Sequence, residues 1–259
     1  ICHRISNSDS IEALGSEIAD WLDANAHDIN AWQVIRAWLS AGGSPDVVAD
    51  TSLTWLRLHG LELHAQFVFK SWLDSGGALG HVGTQVLDWL GIHSAAPEAR
   101  FVYQAWLDAG GAIDSVRVHV LGWVQRHALL AETRFVCRSW LNAGGAPASI
   151  EAPVVRWLER YAVSPDADFL LYAWLGRGGA FEVVERYACA WFHEYCHEER
   201  ASFLAKQLSV IKALPEITIR DIARWVYRFP SHEDALFRIS RISPVLTARI
   251  SISVETRAA

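Results

Sequence analysis

The run with the clearest chemical potential in this 259-residue sequence is His193-Glu194-Tyr195-Cys196-His197. Two histidines four residues apart share a face on a continuous helix. There they can hold zinc, with the intervening Glu194 as general base. A third ligand is needed, and Glu216, Asp221 and His232 are the candidates downstream. Such a set would make the chain a zinc-dependent hydrolase. The surrounding pattern favours another reading, in which His197 falls just past the end of its helix and the pair shares no regular face.

A second histidine set, His59, His93 and His127, recurs every 34 residues. Equivalent positions on stacked helices stand about 10 Å apart, whereas metal ligands converge to about 2 Å from one ion. Tyr161, Tyr195 and Phe229 continue the same slot, so it reads as packing and capping near helix C-termini. The sequence contains no P-loop, no G-x-G-x-x-G, no G-x-S-x-G and no Cys/His nucleophile arrangement. No catalytic residue and no cofactor is expected.

What positions these residues is a ladder of tryptophans. Trp21, Trp38, Trp55, Trp72, Trp89, Trp106, Trp123, Trp140, Trp157, Trp174 and Trp191 fall every 17 residues, Leu208 takes the next rung and Trp225 the one after. Trp32 alone lies off it. Alternate rungs end in Gly-Gly, as in Ala37-Trp-Leu-Ser-Ala-Gly-Gly43 and Ala105-Trp-Leu-Asp-Ala-Gly-Gly111, so the true period is 34. A fixed period of that length is the mark of a solenoid.

Each period predicts two helices. The first buries an apolar residue seven before its Trp (Val48, Val82, Val116, Ile150, Val184), which with the Trp and its successor makes one helical stripe. The second tends to open with an acid (Glu98, Glu132, Asp166), suited to the positive end of the helix dipole. It carries a Phe five before the rung: Phe67, Phe101, Phe135, Phe169, Phe203 and Phe237. Gly-Gly then supplies a left-handed C-cap. The expected fold is all-α, a right-handed α-solenoid of about six to seven helix-turn-helix repeats. Residues 1–10 read as a leading segment with N-cap oxygens from Ser8 to Ser10, 11–243 as the repeat domain with degenerate capping repeats at its end, and 244–259 as a tail.

With 51% apolar residues the chain can bury a large core. A net charge of −6 argues against nucleic acid as a bulk partner. Residues 1–60 are acid-rich, whereas from Arg220 onward seven Arg face four acids, and that end could meet nucleic acid or a sugar. No apolar run approaches a membrane span and no secretory leader is visible. Four scattered Cys without a C-x-x-C pair agree with a reducing, cytoplasmic setting. The lack of any Met points to a segment of something longer.

The 34-residue unit resembles the tetratricopeptide class of α-solenoids over about residues 10–243. Ala99-x-Phe-Val-Tyr-x-Ala105-Trp-Leu is similar to that family's second helix. The chain departs from it in the one-short spacing of the small residues, in lacking the first-helix Leu-Gly pair, and in placing Gly-Gly where Pro is usual. The resemblance implies protein or peptide binding on a concave face lined by first helices. On those helices the slots one and four before Trp vary in chemistry: Thr51/Thr54, Gln85/Asp88, His119/Gly122, Pro153/Arg156, Tyr187/Ala190. Gln85, Asp88, His119, Arg156 and Tyr187 are therefore the expected partner-binding residues of an interaction module.

Overall fold

A computed structural model describes residues 2–6 and 12–232. The described residues are all-α: fourteen α-helices and short 3-10 turns, with no strand. The tail at 244–259, Phe237 and Ser8 to Ser10 lie outside the described residues.

The chain divides into two compact units. Unit 1 runs to His127 and includes Asn142–Gly145; unit 2 holds Ala128–Leu141 and everything from Ala146. In unit 1, α1 (Cys2–Ser6) leads, followed by the first helices α2 (Gly15–Asn25), α4 (Ala49–His59), α6 (Leu79–His93) and α8 (Ile113–Arg126). These alternate with the second helices α3 (Trp32–Ser40), α5 (Ala65–Asp74) and α7 (Ala99–Asp108). Unit 2 continues with second helices α9 (Thr133–Asn142), α11 (Ala167–Gly176) and α13 (Ser202–Ser209). Its first helices are α10 (Glu151–Tyr161), α12 (Phe181–Tyr195) and α14 (Glu216–Arg228).

Every ladder Trp but the half-buried Trp21 is buried. The two classes of rung use the indole N–H differently. In first helices it reaches back: Trp55 donates to the Asp28 carbonyl at 3.0 Å, Trp89 to Glu62 at 2.9 Å and Trp123 to Ala96 at 2.8 Å. Within unit 2, Trp157 donates to Leu130 at 3.1 Å, Trp191 to Ser164 at 3.0 Å and Trp225 to Glu198 at 3.0 Å. Each acceptor belongs to a turn between two earlier helices and also accepts from the backbone N–H three residues on, so the indole adds a second bond that ties the later helix to that turn. In second helices the N–H goes forward by six residues: Trp38 to Ser44, Trp72 to Ala78, Trp106 to Ala112, Trp140 to Ala146 and Trp174 to Ala180. These bonds tie each helix to its own exit turn.

That turn explains both glycines. The first adopts a left-handed conformation (φ +80° at Gly110) and the second donates back to the Trp carbonyl, 2.8 Å from Gly111 to Trp106. Together these make a Schellman end. The second glycine is needed for space. A Cβ on Gly111 would stand 2.4 Å from Cε2 of the Trp106 indole, and Gly43, Gly77 and Gly179 face their own indoles in the same way.

The opening acids stand at the helix starts, where the dipole favours them. Glu98 and Asp166 precede α7 and α11, but neither side chain accepts a capping hydrogen bond. Asp166 instead accepts from Arg134 at 3.0 Å. The N-cap position has helical dihedrals there (φ −66°, ψ −25° at Glu98), which turns the carboxylate away from the first N–H groups.

Candidate binding surface

On a helix each residue turns by about 100°, so a side chain five before the rung points about 140° from it and one two before points about 200° from it. Both slots face away from the core that holds the Trp. The five-before slot is the phenylalanine row. Phe67 and Phe101 in unit 1 are half-buried, and in unit 2 Phe135 is half-buried while Phe169 and Phe203 stay 47% and 56% exposed. The two-before slot holds Arg36, Lys70 and Gln104 in unit 1, and Arg138, Tyr172 and Lys206 in unit 2. Residues three apart on a helix are neighbours. From α5 onward each second helix therefore shows an aromatic beside a long, mostly cationic side chain, whereas α3 has Gln33 in the aromatic slot.

In unit 1 these groups line a hollow of about 460 Å³ that touches α3, α5 and α7, with Arg36, Phe67, Lys70 and Phe101 on its walls. An adjoining hollow is walled by Cys2, Trp32, Gln33 and Arg36. Trp32, the one Trp off the ladder, stacks on Phe67 with centroids 4.8 Å apart and planes 16° apart. The Arg36 guanidinium sits 5.0 Å from the Phe67 ring centre and that of Arg100 sits 4.4 Å from Phe101. Lys70 pairs with Asp74 one turn on. Within the unit, α5 packs most extensively against its fellow second helices α3 and α7, more so than the first helices pack on one another. Small residues before the rung (Ser71, Ala105) permit that approach.

Unit 2 has its own version. Arg134 covers Phe135 at 4.3 Å, and Tyr172 meets Phe203 edge-on at 5.9 Å. Asp168, the one acid in the aromatic flank, is buried and bound to Arg200 at 3.1 Å. Burial raises its carboxyl from the ordinary 3.8 against the pull of Arg200.

The residues singled out in the sequence are placed as follows. In unit 1, Gln85 and Asp88 lie on α6 and His119 on α8, with Asp88 exposed and the other two half-buried. In unit 2, Arg156 on α10 is half-buried, but Tyr187 on α12 is only 7% exposed. The four-before slot is not an outward one. Thr51, Tyr187 and Asp221 are buried there, because within a unit that slot faces the preceding first helix, and Pro153 is buried too. Thr51 donates to Asp23 of α2 at 2.8 Å, and His193 Nδ1 of α12 lies 2.8 Å from Asp221 Oδ2 of α14.

The His193/His197 pair is separated by the end of α12 at Tyr195, which leaves His197 outside the helix. Asp221, considered as a metal ligand, binds His193 with one oxygen and Arg224 with the other at 2.8 Å. No three His, Cys, Asp or Glu side chains gather as a metal site among the described residues. His59, His93 and His127 do not cap their own helices. Their Nε2 atoms lie 3.1, 2.8 and 2.9 Å from the carbonyls of His27, Leu61 and Ala95. A carbonyl only accepts, so the proton sits on Nε2. Tyr161 and Tyr195 donate likewise to Leu129 and Val163 in unit 2, both at 2.9 Å. Of the Arg-rich end, Arg220, Arg224 and Arg228 lie on α14, where Arg224, Tyr227 and Arg228 join Cys196 and His197 around a hollow of about 390 Å³; the later arginines lie outside the described residues. No described helix is long and apolar enough to cross a membrane.

No family model, no curated protein and no solved structure matches this chain.

Proposed function

We propose that the chain is an α-solenoid of 34-residue helix pairs, similar to the tetratricopeptide class, that serves as a protein- or peptide-binding module of a larger cytoplasmic protein and not as an enzyme. The bonds from the first-helix indoles of Trp55 through Trp225, from the imidazoles of His59, His93 and His127, and from the phenols of Tyr161 and Tyr195 support the solenoid. They join successive pairs at one fixed interval, as nearest-neighbour stacking requires. The observation that carries the binding role is the phenylalanine row. A helix pair gains no core from a large apolar side chain at an outward slot of its second helix, and exposed apolar groups such as Phe169 and Phe203 are what interaction sites present. That row makes the second helices the favoured contact face, with Gln85, Asp88, His119, Arg156 and Tyr187 on the first helices as the alternative.

A phage-displayed random peptide library panned against the purified chain tests the reading. Enriched sequences that bind in solution, and bind more weakly to Phe101→Ser, are expected. A library that yields no binder at micromolar concentration contradicts it. Binders that respond to Arg156→Glu but not to Phe101→Ser return the contact face to the first helices.

A further inference from the structure

We infer that the second-helix face of unit 1 takes an extended acidic segment carrying an apolar residue at every third position, laid across α3, α5 and α7. The inference rests on the reading of the chain as a binding module and adds the chemistry of the partner.

Charge sets the sign. In the six-, five- and two-before slots of these helices the charged residues are Arg36, Lys70 and Arg100, with no acid among them. The acids Asp74 and Asp108 stand one turn further on, next to the Gly-Gly ends. Asp74 lines the same hollow, where it pairs with Lys70, and Arg36 and Lys70 stand mid-helix, so two cations face one acid there inside a chain whose net charge is −6. The Lys70–Asp74 pair does not block the hollow. Both side chains are more than two-fifths exposed, and an exposed pair of this kind is worth about 0–1 kcal/mol, little enough for an incoming carboxylate to displace.

Spacing sets the pattern. Neighbouring helices pack about 8–10 Å apart, and Phe67 and Phe101 open onto one hollow. A chain in the extended polyproline II form repeats every three residues and advances about 3.1 Å per residue, so three residues cover about 9 Å and bring side chains of one face to successive phenylalanines. Trp32 of α3 stacks on Phe67 at 4.8 Å and forms one anchor with it. The two residues between apolar anchors are then the ones that meet Arg36 and Lys70.

Ring geometry favours a peptide over single-stranded nucleic acid. Base stacking requires an open aromatic face. Phe67 has Trp32 stacked on it and the Arg36 guanidinium above it, and Phe101 carries Arg100. These contacts take up ring face that a stacked base would need, whereas an aliphatic side chain can pack against what is left.

The test is fluorescence anisotropy of the full chain with labelled peptides of about 15 residues, long enough to span the three helices. The probes are a Glu-Asp-Leu repeat, a Lys-Lys-Leu repeat, a peptide of the first composition with its leucines clustered, and an oligouridylate of similar span. The Glu-Asp-Leu repeat is expected to bind most tightly and to weaken as salt rises. Arg36→Glu combined with Lys70→Glu should weaken it about 10-fold or more, with Arg36→Gln combined with Lys70→Gln in between and helicity unchanged. Equal binding of the lysine repeat or of the clustered peptide overturns the inference, and tighter oligouridylate binding that is lost in the same variants assigns the face to nucleic acid. Selected library peptides that bind while the Glu-Asp-Leu repeat does not would sink this inference alone. A chain that binds neither sinks the binding module with it.

Discussion

The indole N–H of Trp123 on α8 donates to the carbonyl of Ala96, 2.8 Å away and 27 residues earlier, whereas that of Trp106 on α7 donates to Ala112, 3.2 Å away and six residues later. Two rungs that look alike thus perform different tasks: one braces a neighbouring turn and the other closes its own. Replacing either by Phe keeps most of the ring and removes one donor, while the Ala96 and Ala112 carbonyls keep their backbone partners at Ala99 and Ser115, so the cost should be about 0.5–1.5 kcal/mol. Hydrogen exchange should separate the two. Trp123→Phe should release protection at residues 94–98 as well as in α8, and Trp106→Phe at residues 109–112. Identical exchange maps for the two variants would contradict the division of labour. The full truncation Trp123→Ala removes the packed ring too and should cost about 3–5 kcal/mol.

The paired glycines should fail for different reasons. Gly110→Ala places a Cβ in open space but at a φ of +80°, a strain of about 1–2 kcal/mol. Gly111→Ala drives a Cβ to within 2.4 Å of the rigid Trp106 indole, so that ring or turn must move. Gly111→Ala is expected to be the more destabilising in urea denaturation. It should also be partly relieved when combined with Trp106→Ala, because the two share one contact. Strict additivity would refute the contact as the cause.

Cys137 on α9 is fully buried, and burial pushes its thiol up from 9.0 to about 12. The folded chain therefore keeps this proton where the unfolded chain gives it up. Stability from the group is whole below pH 9.0 and is lost as the pH rises toward about 12. Denaturation at about pH 8 and about pH 10 should show a smaller alkaline loss for Cys137→Ala than for the parent chain. A maleimide should also label Cys137 only as unfolding exposes it. Labelling of Cys137 as fast as that of the half-buried Cys189 in native conditions would rule out the buried thiol.

Asp221 is buried between His193 and Arg224 and accepts from both, so it joins α14 to α12. Asp221→Asn weakens two charge-assisted bonds and should cost about 1–3 kcal/mol by thermal or urea denaturation. His197 lies outside α12 and is largely exposed, so His197→Ala should change stability by less than about 0.5 kcal/mol. Equal losses for the two would mean that the His193–His197 segment acts as a unit.

Much of this architecture was legible in the residues themselves. The ladder of Trp38, Trp55, Trp72 and their successors named the core, and the Gly-Gly pairs marked where second helices end. Both follow from local rules: apolar side chains at helical spacing seek one face, and a glycine is the residue that tolerates a positive φ. The phenylalanine row was visible too, and its outward direction needed only the turn angle between Phe101 and Trp106.

The amino-acid order by itself determined helix and core because those depend on neighbours within a few turns. The tertiary structure decided what depends on helices far apart in sequence. It gave Trp123 a carbonyl on an earlier turn, buried Tyr187 and Asp221 in a slot that a single helix shows to solvent, and set Trp32 against Phe67. A lone helix has one inside and one outside. Packing side by side gives it two further faces, and which residues fill them is settled only when the neighbouring helix is in place.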